Sequence, residues 1–337
     1  MYQFKLNTQN GHRTKLKQVV HTIIVDIEKG VLKKDEQLPS VTAFSKAFSV
    51  SRDTIEKAYK ELKAQGYITS VASKGYFVLG KKGKKIKVLL VFNKLSSYKK
   101  IIYDSLVATL GNKVKIDLHI HHYSIPLFKE IIEENLGKYH YYVIMPHFPN
   151  GSNKAEYMKI IKSIPQDALL LLDKNLPELG HKHMSVYQDF KVDMYNSLVS
   201  ATDLLKKYKK ITVILPKYRN HPSDIIKGVA EFCTEYKIKT SVLENAEKGI
   251  LSPGTAYVVT SETDLAKLIK KIRKTNLVIG KDIGILSYNE TALKDLLDIT
   301  TITTDFEGMG RSAAKLILNL QHTQLKNPFR MIRRSSL

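Results

Sequence analysis

At 337 residues, 43% of them hydrophobic, the chain has enough apolar material for two or three ordinary domains, and its formal net charge of +22 suits a polyanionic partner. A single cysteine, Cys233, excludes an internal disulfide framework and a multi-cysteine zinc site. No uncharged run approaches the roughly 20 residues that span a bilayer, and the first residues, MYQFKLNTQNGHRTKLKQ, lack a secretory apolar core. The expectation is a cytoplasmic protein with no membrane partner.

The positive charge is uneven. Residues 1–87 hold 18 Lys and Arg against 7 Asp and Glu, whereas the remaining 250 residues hold 36 against 25. Within that basic first quarter, KLKQVVHTIIVDIEKG from Lys15 puts Leu16, Val19, Val20, Ile23, Ile24 and Ile27 at helical spacing and stops at Gly30. A loop follows, and Ser40 is placed to cap a short helix, VTAFSKAF, with Val41, Phe44 and Phe48 on one side. The next segment, VSRDTIEKAYKELKAQGYI, predicts a third helix capped by Ser51, buried through Ile55, Ala58, Tyr59 and Leu62, and ended by Gly66. Two short strands, Tyr67 to Val71 and Tyr76 to Leu79, then flank a turn at Lys74-Gly75.

Three helices followed by a hairpin have a physical use. A helix-turn-helix lays the start of its second helix in the DNA major groove, and here that start carries Arg52, Asp53, Thr54 and Lys57 off the apolar stripe. Arg52 can donate two hydrogen bonds to a guanine edge, Thr54 can reach a base or phosphate, and Lys57, Lys60 and Lys74 can neutralise phosphates.

LGKKGKKIK from Leu79 reads as a linker, and beyond it short apolar runs alternate with amphipathic segments. KVLLVF, KIDLHIHHY, YYVIMPHF, ALLLLDK and MSVYQD are the first strands; KITVILP, KTSVLE, TAYVVTS, DIGILSYN and TITTDFEG are the later ones. Such alternation predicts an α/β body of two doubly wound parallel-sheet subdomains. Ligands of these folds sit beyond the carboxyl ends of the strands. There the sequence offers Asn93, Lys94, Ser96 and Ser97; Pro146 and His147; Asp173 and Lys174; Gln188 and Asp189; Lys217 and Arg219; Ser261 and Glu262; Asn289 and Glu290. With Phe92, Tyr98, Phe148 and Tyr218 as walls, the set suits a small polyhydroxylated ligand.

Other chemistry finds little support. His119 and His121 fall two apart on a predicted strand with Asp117, a conceivable metal face, but no second ligand set accompanies them. No Walker loop, nucleophile elbow, dinucleotide fingerprint or HExxH is present, so no metal, no cofactor and no catalytic residue is expected.

Five short motifs in order, LPS at Leu38–Ser40, VSR at Val50–Arg52, AYKEL at Ala58–Leu62, QGYI at Gln65–Ile68 and KGYFV at Lys74–Val78, resemble the winged helix of GntR-type transcription regulators. The resemblance implies DNA contacts from Ser40, Arg52 and Thr54, with Gly75 of the wing approaching the minor groove. The chain departs from that pattern at Val41-Thr42 and at Glu56. The full candidate DNA set is Ser40, Thr42, Ser51, Arg52, Asp53, Thr54, Lys57, Lys74 and Gly75.

LLLDK, VYQD, KITVILP, IGKDIGILSYNET, ITTITTDFEGMGRSAAKLIL and IRRSSL are similar to the effector domain of LacI/GalR regulators, itself similar to periplasmic sugar-binding proteins. That likeness puts Asp189 and Glu262 at positions that often hold the effector. Ser261-Glu262 stands where Asn-Asp is commoner, and Ile225 where arginine is frequent. The candidate effector set is Asn93, Ser96, Ser97, Tyr98, His147, Asp173, Asp189, Arg219, Glu262 and Asn289. The combined expectation is a winged helix-turn-helix at residues 1–80, a linker at 81–86 and an effector and dimerisation domain at 87–337. It would act as a homodimeric repressor on double-stranded operator DNA, released by a monosaccharide. The alternative is a solute-binding protein or an enzyme with a basic appendage.

Overall fold

The computed structural model describes residues 14–79, 85–216 and 222–337. It begins with three helices, α1 (Lys15–Lys29), α2 (Val41–Phe48) and α3 (Arg52–Ala64), and a hairpin of β1 (Ile68–Val71) and β2 (Gly75–Val78). Each helix starts where a hydroxyl can accept from its own first turn: Thr14 from Lys17 N–H, Ser40 from Ala43 N–H at 3.1 Å, and Ser51 from Thr54 N–H at 3.3 Å. The buried face of α3 is Ile55, Ala58, Tyr59 and Leu62, the stripe its spacing predicts. Gly66 follows α3 with φ 69°, the left-handed position that favours glycine, and lets Tyr67 N–H return to the Leu62 carbonyl at 3.0 Å. One apolar core, including Val19, Ile23, Phe44, Tyr59 and Tyr67, joins all five elements.

The remainder folds as two parallel-sheet lobes. The first sheet has the order β13-β7-β6-β5-β3-β4, from β3 (Ile86–Phe92), β4 (Val114–Ile120), β5 (Tyr141–Ile144), β6 (Leu169–Asp173), β7 (Met184–Tyr187) and β13 (Gln324–Lys326). The second has the order β14-β12-β11-β10-β8-β9, from β8 (Lys210–Ile214), β9 (Lys239–Leu243), β10 (Thr255–Val259), β11 (Ile283–Tyr288), β12 (Thr300–Thr304) and β14 (Phe329–Ile332). Every pairing in the lobes is parallel except β12 with β14. Strands buried on both faces explain the near-continuous apolar runs, such as Leu169–Leu172, all fully covered.

Helices α4 (Ser97–Leu110), α5 (Ile125–Asn135) and α6 (Lys154–Lys162) belong to the first lobe. Helices α7 (Phe190–Val199), α8 (Thr202–Leu205), α9 (Asp224–Glu235), α10 (Glu262–Ile272) and α11 (Ala292–Leu296) belong to the second. Helix α12 (Phe306–Leu318) follows a second-lobe strand yet packs into the first lobe, against α4, through Met309, Ala313 and Ile317. Among the described residues the chain therefore crosses between lobes three times, after β7, after β12 and between β13 and β14. The two last short strands, which no pattern in the sequence singled out, make the third crossing. Gly310 permits the α12–α4 packing, since a Cβ there would lie 2.4 Å from the Ile102 carbonyl oxygen.

The expected linker at 81–86 falls mostly outside the described residues. His121 does not share a strand face with His119: β4 ends at Ile120, and His121 turns inward against Phe128 and Phe148 at ring-centroid distances of 5.4 and 5.0 Å. Asp117 accepts from the Tyr139 hydroxyl at 2.8 Å. His121 thus leaves the strand face that Asp117 and His119 share.

Candidate functional site

The first candidate surface is the start of α3. Arg52, Asp53 and Lys57 are exposed, and Lys57 Nζ lies 2.8 Å from Asp53 Oδ2 one turn earlier. That ion pair holds the lysine parallel to the helix and raises its pKa through the hydrogen bond to Asp53. Ser51 and Thr54 share a hydrogen bond between their hydroxyls at 2.7 Å, so the two act together and keep one hydroxyl hydrogen for an outside acceptor. Ser40 and Thr42 stand exposed at the start of α2, where the hydroxyl of Ser40 remains able to donate while its oxygen caps the helix. On the wing, Gly75 takes φ +101°, closed to most side chains, and Gln37 Nε2 braces the hairpin by donating to the Lys74 carbonyl at 2.5 Å. Lys74 itself is exposed at the tip.

The second is a cleft of about 470 Å³ between the lobes, at the carboxyl ends of their strands. Of the ten sequence-predicted effector residues, Asn93, Ser96, Ser97, Tyr98, His147, Asp173, Glu262 and Asn289 line it. Asp189 does not. It caps α7 instead, its carboxylate accepting from Val192 N–H at 3.2 Å. Arg219, with Lys217 and Tyr218, lies outside the described residues. Two expected walls are also displaced: Phe92 is sealed in the first-lobe core, and Phe148 stacks on Tyr157 at 4.5 Å. The aromatic lining comes from Tyr98, Tyr123, Phe190, Tyr288 and Phe306, with Tyr98 and Phe306 stacked at 5.1 Å.

At the floor of the cleft sits a buried network around Asp173. Its carboxylate receives Lys99 Nζ at 2.7 Å and His147 Nε2 at 2.9 Å, and Gln188 donates to its other oxygen. Burial alone would raise the Asp173 pKa, but the Lys99 ammonium and the imidazole beside it hold the carboxyl well below the usual range. His147 is pushed down by burial against the pull of Asp173, which leaves a neutral ring donating from Nε2. Gln188 then accepts from the Tyr288 hydroxyl at 3.3 Å, so one side chain at a crossover spans both lobes.

Asp173 (φ 73°) and Asn289 (φ 64°) end β6 and β11 in left-handed backbone, a conformation Asp and Asn tolerate better than most residues and one that turns their side chains into the cleft. Lys294 enters from the second lobe. Its ammonium is buried and donates to the Tyr288 and Asn289 carbonyls at 2.8 and 2.7 Å, and burial lowers its pKa to about 8. Nothing in the sequence marks it, because α11 is inverted: Lys294 is 2% exposed while Leu293 and Leu296 are 66% and 79% exposed. Lys99, with Lys94, Lys174 and Arg219, is a cation that from sequence leaves a phosphorylated ligand open; in the first turn of α4 it turns inward and its ammonium is buried against Asp173.

Two observations describe what the cleft awaits. The Oδ1 atoms of Asn93 and Asn289 are buried without a protein partner among the described residues, and such acceptors need donors. Two of the three lysines that line the cleft among the described residues are engaged by protein groups, Lys99 by Asp173 and Lys294 by two carbonyls, while Lys94 stands exposed at its edge. Glu262 is bonded to the Tyr98 hydroxyl, whose pKa rises mainly through burial and then through that carboxylate. Glu290 is held by Arg334 at 3.0 Å. Among the described residues the arrangement offers hydrogen-bond acceptors between aromatic walls, with Lys99 and Lys294 already bonded to protein groups.

Comparison with known proteins agrees with both halves. Residues 15–78 match the profile of the bacterial regulatory proteins of the gntR family, and residues 174–337 match that of the periplasmic binding protein-like domain. The chain thus joins a segment that matches GntR-family regulators to a LacI-like effector body, and the relatives it matches are transcription regulators rather than enzymes. The arabinose metabolism transcriptional repressor of Geobacillus stearothermophilus is 24% identical over 348 residues, covering 90% of each chain. The lac repressor dimer bound to operator and the anti-inducer ONPF superposes with a TM-score of 0.60 at 15% identity, over 75% of this chain and 94% of that one. A periplasmic binding protein/LacI regulator of Alkaliphilus metalliredigens complexed with D-xylulofuranose gives 0.55 at 13%, over 74% and 98%. No helix among the described residues is long and apolar enough to cross a membrane.

Proposed function

We propose that this protein is a cytoplasmic, homodimeric repressor of sugar metabolism whose grip on a pseudo-palindromic operator is released by an uncharged monosaccharide, with a pentose or deoxyhexose as first choice. The head would span residues 1–80, the linker 81–86 and the effector and dimerisation body 87–337. The observation that carries the ligand class is the pair of asparagines, Asn93 and Asn289, that line one cleft from opposite lobes, each with an Oδ1 that has no protein partner among the described residues. Sugar hydroxyls supply the missing donors, Tyr98, Phe190 and Phe306 pack against the ring faces, and the ligand bonds both lobes at once. A phosphate would compete with the Asp173 carboxylate for Lys99 and would face Glu262 in the same cleft, which leaves it Lys94 and the one remaining hydrogen of Lys294. The arabinose metabolism of the 24% identical repressor and the D-xylulofuranose of the Alkaliphilus complex support the same class.

In the mechanism that follows, Arg52 reads a guanine edge, Ser51 and Thr54 act as one donor pair, and Lys57 and Lys74 neutralise phosphates. Sugar closes the lobes about the three crossings, and closure changes the separation of the two heads of the dimer. Calorimetry with neutral pentoses, deoxyhexoses and their phosphates, paired with operator titrations, tests the reading. The expected result is binding of a neutral sugar that weakens operator affinity at least fivefold. Binding of phosphorylated sugars only, or binding with no change in operator affinity, would overturn it.

A further inference from the structure

Helix α1 ends in a carboxylate that its own helix cannot satisfy. Glu28 lies in the last turn, where the helix dipole disfavours negative charge, and it is 3% exposed, so two separate costs fall on one side chain. Its two oxygens meet different neighbours: Oε1 has a hydrogen-bond donor, whereas Oε2 has a close ion-pair contact. The Tyr67 hydroxyl, within the head, donates to Oε1 at 2.6 Å. On Oε2 lies the Nε2 of His140, a residue of the effector body next to the start of β5. The ring of His140 is held in turn by the first lobe: Lys87 N–H donates to Nδ1 at 2.9 Å, which places the ring proton on Nε2, facing Glu28. The following pair repeats the contact, with Lys29 Nζ 4.7 Å above the ring centre of Tyr141. Two consecutive head residues therefore meet two consecutive body residues.

We infer that Glu28 is a positioning residue for operator recognition: through His140 it docks α1 on the amino ends of β3 and β5, so that the first lobe, and not the lysine-rich linker alone, sets where α3 points. The same two strands lead at their other ends to Asn93 and His147, which line the cleft. Helix α1 shares its core with α3, so a change in its seat is passed to the residues that face DNA. That last consequence rests on the sugar-responsive reading given above; the docking does not.

The test uses full-length protein: wild type, Glu28→Gln and His140→Ala, each examined by amide hydrogen exchange and by operator titration with and without L-arabinose and D-xylose. In both variants exchange at Ile27 to Lys29 should quicken at least tenfold while Tyr59 and Leu62 in the α3 core stay protected, sugar affinity should be unchanged, and the sugar's effect on operator affinity should shrink toward one. The double variant should add nothing to either single change. Unchanged exchange in both variants would overturn the docking, and faster exchange with an undiminished sugar effect would overturn the positioning role. A wild type indifferent to every sugar would sink the sugar reading instead. The ligand-free operator affinities then decide, a fall of tenfold in the variants supporting the inference and equality with wild type overturning it.

Discussion

The two regions that face ligands are built in opposite ways. The DNA-facing surface of the head comes from contiguous sequence, stands in solvent, and sits on a helix whose buried side is fully determined by spacing. The cleft is assembled from strand ends scattered between Asn93 and Phe306, is largely buried, and works through a network in which each charge is already bonded. An exposed contact of the first kind can be lost without disturbing the fold. A member of the second kind cannot, because its partner is left buried and unsatisfied.

The sharpest way to break this contrast is to remove Asp173. Asp173→Ala leaves Lys99 buried beside a neutral imidazole, and the expected loss is about 3–5 kcal/mol of stability, with no sugar binding by the protein that remains folded. Chemical denaturation measures it. A loss under about 1 kcal/mol would mean that water reaches the floor of the cleft and that the network is not closed.

Lys294 sharpens the same side. Its folded pKa of about 8 lies below the ordinary lysine value of 10.5, so below pH 8 the folded state bears the full cost of burying the ammonium, a ceiling of about 3 kcal/mol. As pH rises from about 8 toward 10.5 the unfolded chain holds more protons, and stability should climb. Lys29, lowered mainly by burial, adds a contribution of the same sign. The share due to Lys294 should vanish from the stability profile of Lys294→Met between pH 8 and 10. Sugar affinity should fall over the same range, because an amine that satisfies two carbonyls has no third hydrogen for a ligand. A variant with the wild-type pH profile would contradict the lowered value.

For the head, Arg52→Ala should weaken specific operator binding by about 1–3 kcal/mol and relax preference at one base position, while melting temperature and sugar binding stay at their wild-type values. An equal loss on operator and on random duplex would reassign Arg52 to a phosphate.

How much of this could be read from the sequence follows the same division. The α3 stripe, the caps Ser40 and Ser51 and the glycines at 66 and 75 are local features with local physical causes, and each appears where spacing places it. The alternation of strands and helices likewise announced two parallel sheets. The order of strands and the return of α12 to the first lobe depend on crossings that no periodicity encodes. Eight of the ten candidate effector residues, taken from strand ends and the walls beside them, line the cleft, because the topology rule is general. It could not supply Phe190, Phe306 or Lys294, whose orientations come from the hinge and from the inverted burial of α11.

Asp189 marks the limit of that rule and gives the smallest expected effect. It stands at a strand end and at a position where resemblance suggests a ligand contact, yet its carboxylate accepts from Val192 N–H while its own N–H donates to Asp193 Oδ2 at 2.8 Å. Both bonds are those of a helix start, and Asp189 is absent from the cleft lining. Asp189→Ala should therefore cost about 1 kcal/mol of stability, the usual loss for an N-cap, and leave sugar affinity within twofold of wild type. If affinity instead falls tenfold or more at unchanged stability, closure of the lobes brings the side chain onto the ligand, and the cap seen here belongs to the open state alone.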